Sequence, residues 1–454
     1  MTASTSARAN ASRAERRTRA GLLSRPLASY YLVLGTTAML VMLGLVMVLS
    51  ASSVIAYSRS GSSFSIVSKQ AIWVGIGLPA MFVASRISPR GWRMLGYPLL
   101  VLSLLLLVAV MVPGVGRSSH GATRWIDLPA GLQVQPSEPA KLALVLWGAD
   151  LLARKEKLLG DWKHVVIPLV PGTLVMILLV MLEPDLGTTA VLVAVLLALL
   201  WVSGASARVF AALGLSFAFG AGLLALSAPY RLARLVSFRD PFAHAAGTGY
   251  QAVHGIYALA SGGWWGVGLG ASREKWAYLP NAYTDYIYAI IGEELGLIGT
   301  LSVLALFALL GYAGIRVASR SRDRFTQLAA AGVTAWLVCQ ALVNIGYVIG
   351  LLPVTGIPLP LVSFGGSALV PTLIALGMLL SFARREPGAP AALARRGAPL
   401  RRLARALHLR PVTRRTAGPA RSRVPLRVIG GGRAAGRASS GGAGRRPSRA
   451  RAAR

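Results

Sequence analysis

Residues 30–52 read YYLVLGTTAMLVMLGLVMVLSAS and contain no charged side chain. A helix of roughly 20 apolar residues is long enough to cross ~30 Å of hydrocarbon, and this run is too long for a cleaved signal peptide. We therefore interpret it as the first membrane span of an all-α protein. Apolar runs of similar length predict about ten spans in all, at residues 30–52, 71–88, 96–113, 137–153, 165–182, 186–203, 207–228, 286–315, 327–349 and 367–383.

The composition excludes an ordinary water-soluble domain. Of the 454 residues, 54% are hydrophobic and only 14% are charged, and the mean hydropathy is +0.59. The chain has one cysteine, Cys339, which lies inside an apolar run. A disulfide framework or a cysteine-ligated metal site within one chain is therefore excluded.

The net charge of +33 belongs mostly to the two ends of the chain. Residues 384–454 contain 20 Arg and one acid, and residues 1–29 contain 6 Arg and one acid. Segments of this composition bury too little apolar surface to fold, and they lack the interleaved aromatic rings of a nucleic-acid interface. We expect a membrane domain over 30–385 between disordered tails over 1–29 and 386–454, with the tails contacting anionic lipid headgroups and no nucleic acid.

The short loops between the predicted spans set the orientation. Under the positive-inside rule, loops rich in Arg and Lys face the cytoplasm, which places both termini of this plasma-membrane protein there. The outer side then receives the loops 114–136, 229–285 and 350–366, of which 229–285 is the longest. The cations that set this orientation are Arg86, Arg90, Arg93, Arg154, Lys155, Lys157, Lys163, Arg316, Arg320, Arg322 and Arg324.

Acidic side chains are scarce, and several of the 15 fall at the outer ends of predicted spans or within them. An ionisable group at membrane depth is costly unless it is paired or faces a water-filled cavity, so such a group is a functional candidate. We predict one shared cavity, open to the outer side. The acids expected to line it are Glu138, Glu183, Asp185, Asp285, Glu293 and Glu294.

The first acidic cluster follows Gln135 in the sequence QPSEPAK. Ser137 is predicted to cap a helix, and Glu138 is predicted to share a helix face with Lys141, three residues later. This pattern fits a structural ion pair. It fits equally well a site where Arg124 and Lys141 neutralise a diphosphate.

The second acidic cluster, EPDLGT at residues 183–188, links two predicted spans abruptly. Pro184 ends one helix and Asp185 is predicted to cap the next one. Capping explains Asp185 but not Glu183, which ends a span without a cation nearby in the sequence.

Two further segments predict irregular backbone at the outer side. Residues 262–270 read GGWWGVGLG, and repeated glycines permit tight turns and close approach to a ligand. Residues 353–367 read PVTGIPLPLVSFGGS, a pattern tolerated at membrane depth only where protein or a water-filled cavity lines it. Its hydroxyl and N–H groups suit anionic or sugar ligands.

Taken in order, these clusters resemble the SEDS family (shape, elongation, division and sporulation), which includes FtsW and RodA, over roughly residues 30–385. Within the family, Leu49-Ser-Ala-Ser-Ser53 and Leu352-Pro-Val-Thr-Gly356 favour the division-type member. The motifs that carry the resemblance are Gln135-Pro-Ser-Glu138, Glu183-Pro-Asp-Leu-Gly187, Thr284-Asp285, Glu293-Glu294-Leu-Gly296 and Ser363-Phe-Gly-Gly-Ser367.

The resemblance implies a peptidoglycan glycosyltransferase that polymerises lipid II at the division septum and releases undecaprenyl diphosphate. It implies that Asp285, which matches the acid of the family's Thr-Asp-Phe motif, is the catalytic carboxylate. The Glu-Ala-His that often precedes this motif is replaced here by Asn281-Ala-Tyr283, so no acid at 281 or imidazole at 283 is carried over. The implied partners are a class B penicillin-binding transpeptidase and divisome membrane proteins.

A carboxylate beside an apolar wall has a raised proton affinity, which suits a base that takes the proton of an acceptor hydroxyl. The leaving diphosphate needs positive charge, and Arg124, Lys141 and Lys275 are the cations near the predicted outer face. A divalent cation, Mg2+ or Mn2+, bound by Asp285 or Glu138 stays an open alternative, because no ligand spacing requires one. The further residues expected to bind substrate are Gln135, Ser137, Glu138, Glu183, Asp185, Thr284, Glu293, Glu294, Ser363, Gly365, Gly366 and Ser367.

Two other classes of protein fit the same pattern. A transporter that flips lipid II between leaflets also has Gly- and Pro-interrupted spans with intramembrane acids, although here the acids lie toward the outer side and no internal repeat is visible. A non-catalytic divisome scaffold would use the basic tails as its working parts.

Overall fold

The computed structural model describes residues 26–119, 122–128, 132–158, 166–226 and 236–393. Most of the two predicted tails, 1–29 and 386–454, lies outside these residues, as does Lys163. Within the described part, a helix coincides with each of the ten predicted spans. The predicted, mostly helical membrane fold is therefore confirmed.

The helices and strands are numbered here in chain order. The elements before the long loop are α1 (Ala28–Ser60), α2 (Ser65–Ala84), α3 (Pro89–Ala109), β1 (Gly116–Ser119), β2 (Ala122–Leu128), β3 (Leu132–Val134), α4 (Ser137–Arg154), α5 (Leu169–Leu182), α6 (Leu186–Ser203) and α7 (Ala207–Leu226). Those that follow are α8 (Tyr250–Gly262), α9 (Ile287–Arg320), α10 (Arg324–Val348) and α11 (Gly366–Ala383).

Seven helices in the described part are long and apolar enough to cross a membrane, namely α1, α2, α3, α6, α9, α10 and α11. The protein is therefore a multi-pass membrane protein. Helix α5 is apolar but has only 14 residues, and α4 carries four charged side chains. The count of ten spans stays a prediction.

The charges of α4 are all paired, and only Arg154 among them has an exposed side chain. Near one end of the helix, Lys141 Nζ lies 2.8 Å from Glu138 Oε1. Near the other end, Asp150 contacts Arg93 Nε at 2.8 Å and Arg154 Nη2 at 2.6 Å. Pairing lowers the cost of a charge in an apolar surrounding, which explains how a charged helix lies almost entirely buried.

The core lies around α10 and α11. Helix α10 packs against α4, α6 and α9, and α11 packs against α2. Both helices are apolar on several faces, and most of their side chains are buried, including Trp336 and Phe382. A helix that is apolar around most of its circumference belongs inside a bundle.

A three-stranded antiparallel sheet lies in the predicted loop 114–136, so the all-α prediction needs one correction. Ile126 at the centre of β2 is paired with Gly116 of β1 and with Val134 of β3. The sheet contacts the link between α5 and α6 through Arg124. We call the end of the helical body where this sheet lies the sheet end.

The predicted loop 229–285 also contains structure that the hydropathy pattern did not reveal. Helix α8 lies within it and packs against α9. The glycine-rich segment after α8 makes its close backbone approach to α9. The amide of Val267 donates to Glu293 O at 2.9 Å, and the amide of Leu297 donates to Gly263 O at 2.9 Å.

This docking needs glycine on both sides. Helix α9 is interrupted at Gly296, which has φ 66° and ψ −163°, and a Cβ on Gly296 would lie 2.4 Å from the Gly266 amide nitrogen. Gly266 has φ +82°, and a Cβ there would lie 2.2 Å from Glu294 O. Only glycine adopts such backbone without steric cost and leaves room for the contact.

Order continues beyond the boundary predicted at residue 385. Glu386 is buried and lies 3.1 Å from Arg320 Nε, and Ala389 is completely buried. The residues 386–393 are therefore part of the helical body, and a deletion that removes the tail alone begins at residue 394.

The contact between α8 and α9 gives a direct test of this packing. A Cβ on Gly262 would lie 1.9 Å from Gly292 O, so Gly262→Ala forces the two backbones apart and is expected to lower the stability by about 1–3 kcal/mol. Gly75→Ala is the matched control, because nothing lies within 4 Å of a Cβ at that helical position. Thermal unfolding of the detergent-purified protein measures both, and equal midpoints would contradict the described packing.

Candidate functional site

At the sheet end, Arg124 of β2 holds the link between α5 and α6. Its Nε donates to Glu183 O at 2.9 Å, and its Nη2 donates to Pro184 O. A guanidinium presents its donors in a rigid fork, so two adjacent carbonyl oxygens fix both its position and theirs. Arg124 thereby fixes the segment that carries Glu183 and Asp185.

Asp185 caps α6, as predicted. Its Oδ1 accepts from the Thr188 amide at 3.0 Å, and its Oδ2 accepts from Thr188 Oγ1 at 2.8 Å. Gln135, which follows β3, adds a third bond from Nε2 to Asp185 Oδ2 at 3.0 Å. The predicted cap at Ser137 is wrong, because α4 begins at Ser137 itself and its Oγ has no hydrogen-bond partner among the described residues.

The Glu138–Lys141 pair is present and is buried, with side-chain exposures of 2% and 1%. Lys141 Nζ also donates to Gln340 Oε1 at 2.9 Å and lies 5.1 Å from the ring centroid of Trp336. Gln340 in turn donates to Pro358 O at 3.0 Å. These contacts join α4, α10 and the segment before α11.

A second buried network surrounds the two acids of α9. Glu294 accepts from Ser50 Oγ of α1 at 2.6 and 2.7 Å and pairs with Lys275 Nζ at 3.2 Å. Glu293 accepts from Ser272 Oγ and from the Arg273 amide, the latter at 2.8 Å. Both acids therefore fasten the loop before Asp285 onto α9 and α1.

Asp285 differs from these acids because its carboxylate has no hydrogen-bond or ion-pair partner among the described residues. Its backbone oxygen is held, accepting from Asn344 Nδ2 at 2.9 Å and from Tyr347 Oη at 2.9 Å. The side chain is partly buried, and a Cβ on Gly356 would lie 3.4 Å from Asp285 Oδ2. The chain thus fixes the position of this carboxylate while leaving its oxygens available.

Burial raises the pKa of Asp285 to about 7. The negative charge of Asp185 raises the same pKa, and the positive charge of Arg124 lowers it. A Cβ on Gly187 of the second acidic cluster would lie 3.3 Å from Thr355 O, next to Gly356, whose Cβ would lie 3.4 Å from Asp285 Oδ2. The second acidic cluster and Asp285 therefore lie against the same segment. A carboxylate with this pKa is suited to accept a proton near neutral pH.

Thr284 and Ser363, two further predicted residues, make hydrogen bonds within the chain close to this loop. Thr284 Oγ1 donates to Asn281 O at 3.1 Å, and the Phe364 amide donates to Tyr283 O at 3.0 Å. Ser363 Oγ accepts from the Leu359 amide at 2.8 Å. The segment before α11 is therefore tied to the loop that carries Asp285.

Gly365 and Gly366 pack this segment against α2. The Gly365 amide donates to Gln70 Oε1 at 3.3 Å, and a Cβ on Gly366 would lie 1.9 Å from Trp73. Ser367 Oγ is buried without a hydrogen-bond partner among the described residues.

The three predicted phosphate-binding cations differ in how they are partnered. Lys141 and Lys275 are buried and paired with Glu138 and Glu294, so both charges have partners inside the protein. Arg124 also has intramolecular partners, but its Nη1 takes part in neither bond. Of the three, Arg124 remains a candidate for a phosphate oxygen.

The carboxylates do not gather into a metal site. Within the ranges that the structure describes, no group of three or more His, Cys, Asp or Glu side chains is arranged to hold a metal ion. Glu138, one of the two proposed ligands, is committed to Lys141. The residues present therefore do not fit the divalent cation considered from the sequence.

Several polar residues of the site were missed by the sequence reasoning. Gln340, Asn344 and Tyr347 project from one face of α10, at spacings of four and three residues, and each bonds to the site. Gln70 and Ser50 do the same from α2 and α1. The sequence did offer one signal for this set: Gln340 and Asn344 are polar amides, four residues apart, inside an otherwise apolar predicted span.

The buried pair predicts the result of a double-mutant cycle. Lys141→Met leaves the Glu138 carboxylate buried without its cation and is expected to cost about 3–5 kcal/mol of unfolding free energy. Adding Glu138→Gln should recover most of that loss. Lys69→Met is the control, because Lys69 is exposed, and additive effects of the two substitutions would contradict the pairing.

Comparisons with known proteins show which family has this architecture. The family model FTSW_RODA_SPOVE, described as "Cell cycle protein", matches residues 30–387. The probable peptidoglycan glycosyltransferase FtsW of Mycobacterium tuberculosis is 45% identical over 385 residues, which cover 85% of this chain and 73% of the relative. Stage V sporulation protein E of Bacillus subtilis is 40% identical over 348 residues, 77% of this chain and 95% of the relative.

Two solved structures are similar as well. A chain from a peptidoglycan synthase complex that coordinates polymerization and crosslinking has a TM-score of 0.65 at 29% identity, covering 78% of this chain and 96% of that one. The rod shape determining protein RodA of Thermus thermophilus has a TM-score of 0.58 at 28% identity, covering 78% and 97%. The chain belongs to the FtsW/RodA/SpoVE family.

Proposed function

We propose that this chain is a peptidoglycan glycosyltransferase that joins lipid II units into glycan strands, with Asp285 as the base. The observation that carries the proposal is the contrast between Asp285, whose carboxylate has no partner in the described residues, and the partnered acids around it. A fixed but unpartnered carboxylate with a pKa near neutral is the group that this reaction requires.

In the proposed step, the acceptor sugar hydroxyl attacks the anomeric carbon of the donor. A bond forms between the hydroxyl oxygen and that carbon, while the bond from the carbon to the diphosphate oxygen breaks. The hydroxyl proton passes to Asp285, and undecaprenyl diphosphate leaves with the bonding electron pair. The positive charge of Arg124, which acts on Asp285, also stabilises the leaving phosphate oxygens.

We place the sheet end on the outer side of the plasma membrane, with both termini in the cytoplasm. The opposite end carries the paired Arg93 and Arg154 and the Arg320–Glu386 contact, which agrees with the positive-inside rule. The proposed site of action is the division septum. A class B penicillin-binding transpeptidase and divisome membrane proteins are the proposed partners, and the basic tails are proposed to contact anionic lipids.

A lipid II flippase is the second candidate, and the same reconstituted system tests both. With purified protein, its transpeptidase partner and labelled lipid II in vesicles, a polymerase forms glycan chains, whereas a flippase changes only the leaflet that holds the label. Movement of label without chain formation would contradict the proposed function.

Asp285→Asn is expected to lower the rate of chain formation at least about 100-fold, because the amide cannot accept the proton. The control is Asp127→Asn, since Asp127 is 53% exposed and its side chain contacts Arg117 and Gln133 within the sheet. Wild-type activity should fall as the pH drops through about 7, because protonation removes the base. Normal polymerisation by Asp285→Asn would show that another group is the base.

Deletion of residues 394–454 is expected to leave polymerisation in vitro unchanged, because the site lies wholly in the described helical body. The same deletion should alter recruitment to the septum, which fluorescence microscopy of a tagged chain measures. Loss of polymerisation on deletion would indicate that the tail itself takes part in the function, as the divisome-scaffold alternative proposes.

A further inference from the structure

Glu183 is the most unusual buried acid of the site. It follows the last residue of α5 and is 1% exposed. Neither Oε1 nor Oε2 has a hydrogen-bond partner among the described residues. The nearest cation, Arg124, spends Nε and Nη2 on backbone carbonyl oxygens, one of them belonging to Glu183 itself.

An ionised carboxylate is the costly form in such a place, because a buried charge without hydrogen bonds or a paired cation loses its hydration without compensation. Burial raises the pKa of Glu183 to about 8. The negative charge of Asp185 raises it further and the positive charge of Arg124 opposes the shift. The other charged groups near these are Asp285 before α9 and the Glu138–Lys141 pair of α4.

We propose that Glu183 keeps its proton in the working enzyme and that its O–H group donates a hydrogen bond to a sugar or phosphate oxygen of the lipid-linked substrate. This inference rests on the proposed function. It gives the two unpartnered acids opposite tasks: Asp285 accepts a proton in its ionised form, and Glu183 binds an oxygen in its neutral form.

The requirement for an external acceptor follows from the hydrogen-bonding capacity of a neutral acid. A carboxylic acid has one O–H donor, and a buried donor is nearly always satisfied. No oxygen of the described chain accepts from Glu183. The link that carries Glu183 packs on the segment that contacts Asp285, because a Cβ on Gly187 would lie 3.3 Å from Thr355 O and a Cβ on Gly356 would lie 3.4 Å from Asp285 Oδ2. A substrate at Asp285 is therefore the source of the acceptor.

Infrared difference spectroscopy tests the protonation without relying on activity. The wild-type spectrum minus that of Glu183→Gln, in nanodiscs at pH 7, should show the C=O stretch of one neutral carboxylic acid, and this band should vanish as the pH rises through about 8. Asp127→Asn is the control and should leave the band in place. A difference spectrum with only carboxylate bands at pH 7 would overturn the inference.

Kinetics with lipid II tests the hydrogen bond. Glu183→Ala is expected to raise KM about tenfold, while Glu183→Gln, which keeps an N–H donor, raises it only about threefold. Wild-type activity should fall as the pH rises through about 8, since ionisation removes the donor, and Glu183→Gln should lack this alkaline fall. An unchanged alkaline fall in Glu183→Gln, or an inactive Glu183→Gln beside an active Glu183→Asp, would overturn the inference.

The two proposals fail in different ways. If wild-type protein moves labelled lipid but forms no chains, the proposed function is wrong, and the infrared band still decides whether Glu183 is neutral. If chains form but the band is missing, only the inference about Glu183 is wrong.

Discussion

The structure depends on how acidic side chains are satisfied inside an apolar helical body. An ionised group buried among apolar side chains loses its hydration, and only a well-placed cation or hydrogen bond offsets that loss. Four of the six acids near the sheet end are satisfied in this way: Glu138 by Lys141, Asp185 by Gln135 and Thr188, and Glu293 and Glu294 by the loop before α9. Apart from the Glu138–Lys141 pair, which lies within α4, these contacts join distant segments or cap a helix end.

The two remaining acids, Glu183 and Asp285, are positioned through their backbones instead. Arg124 binds the carbonyl oxygen of Glu183, and Asn344 and Tyr347 bind that of Asp285. Their carboxyl groups are left without a partner in the described chain. The partnered acids therefore stabilise the cavity wall, and the unpartnered ones are available for chemistry, which separates structural from functional carboxyl groups within one cluster.

The helices were predictable because hydropathy is a local property, and the same holds for the Asp185 cap and the Glu138–Lys141 pair, which involve neighbouring residues. The sheet and the docking of residues 262–268 onto α9 were not, because they arise from backbone hydrogen bonds between separate segments. The tertiary partners of the lysines were not predictable for a related reason. Lys141 finds Gln340 and Lys275 finds Ser50, 199 and 225 residues away, and no local pattern reveals such partners.

The most direct test of this division between acids is the thermal unfolding midpoint of single carboxyl-to-amide variants, measured in one detergent at pH 8. Clear losses of stability are expected for Glu138→Gln, Asp185→Asn, Glu293→Gln and Glu294→Gln. Asp285→Asn should be as stable as wild type or more so, because the amide removes a partly buried charge that has no ion pair or hydrogen bond among the described residues. A midpoint for Asp285→Asn that falls as far as those of the partnered acids would contradict the account.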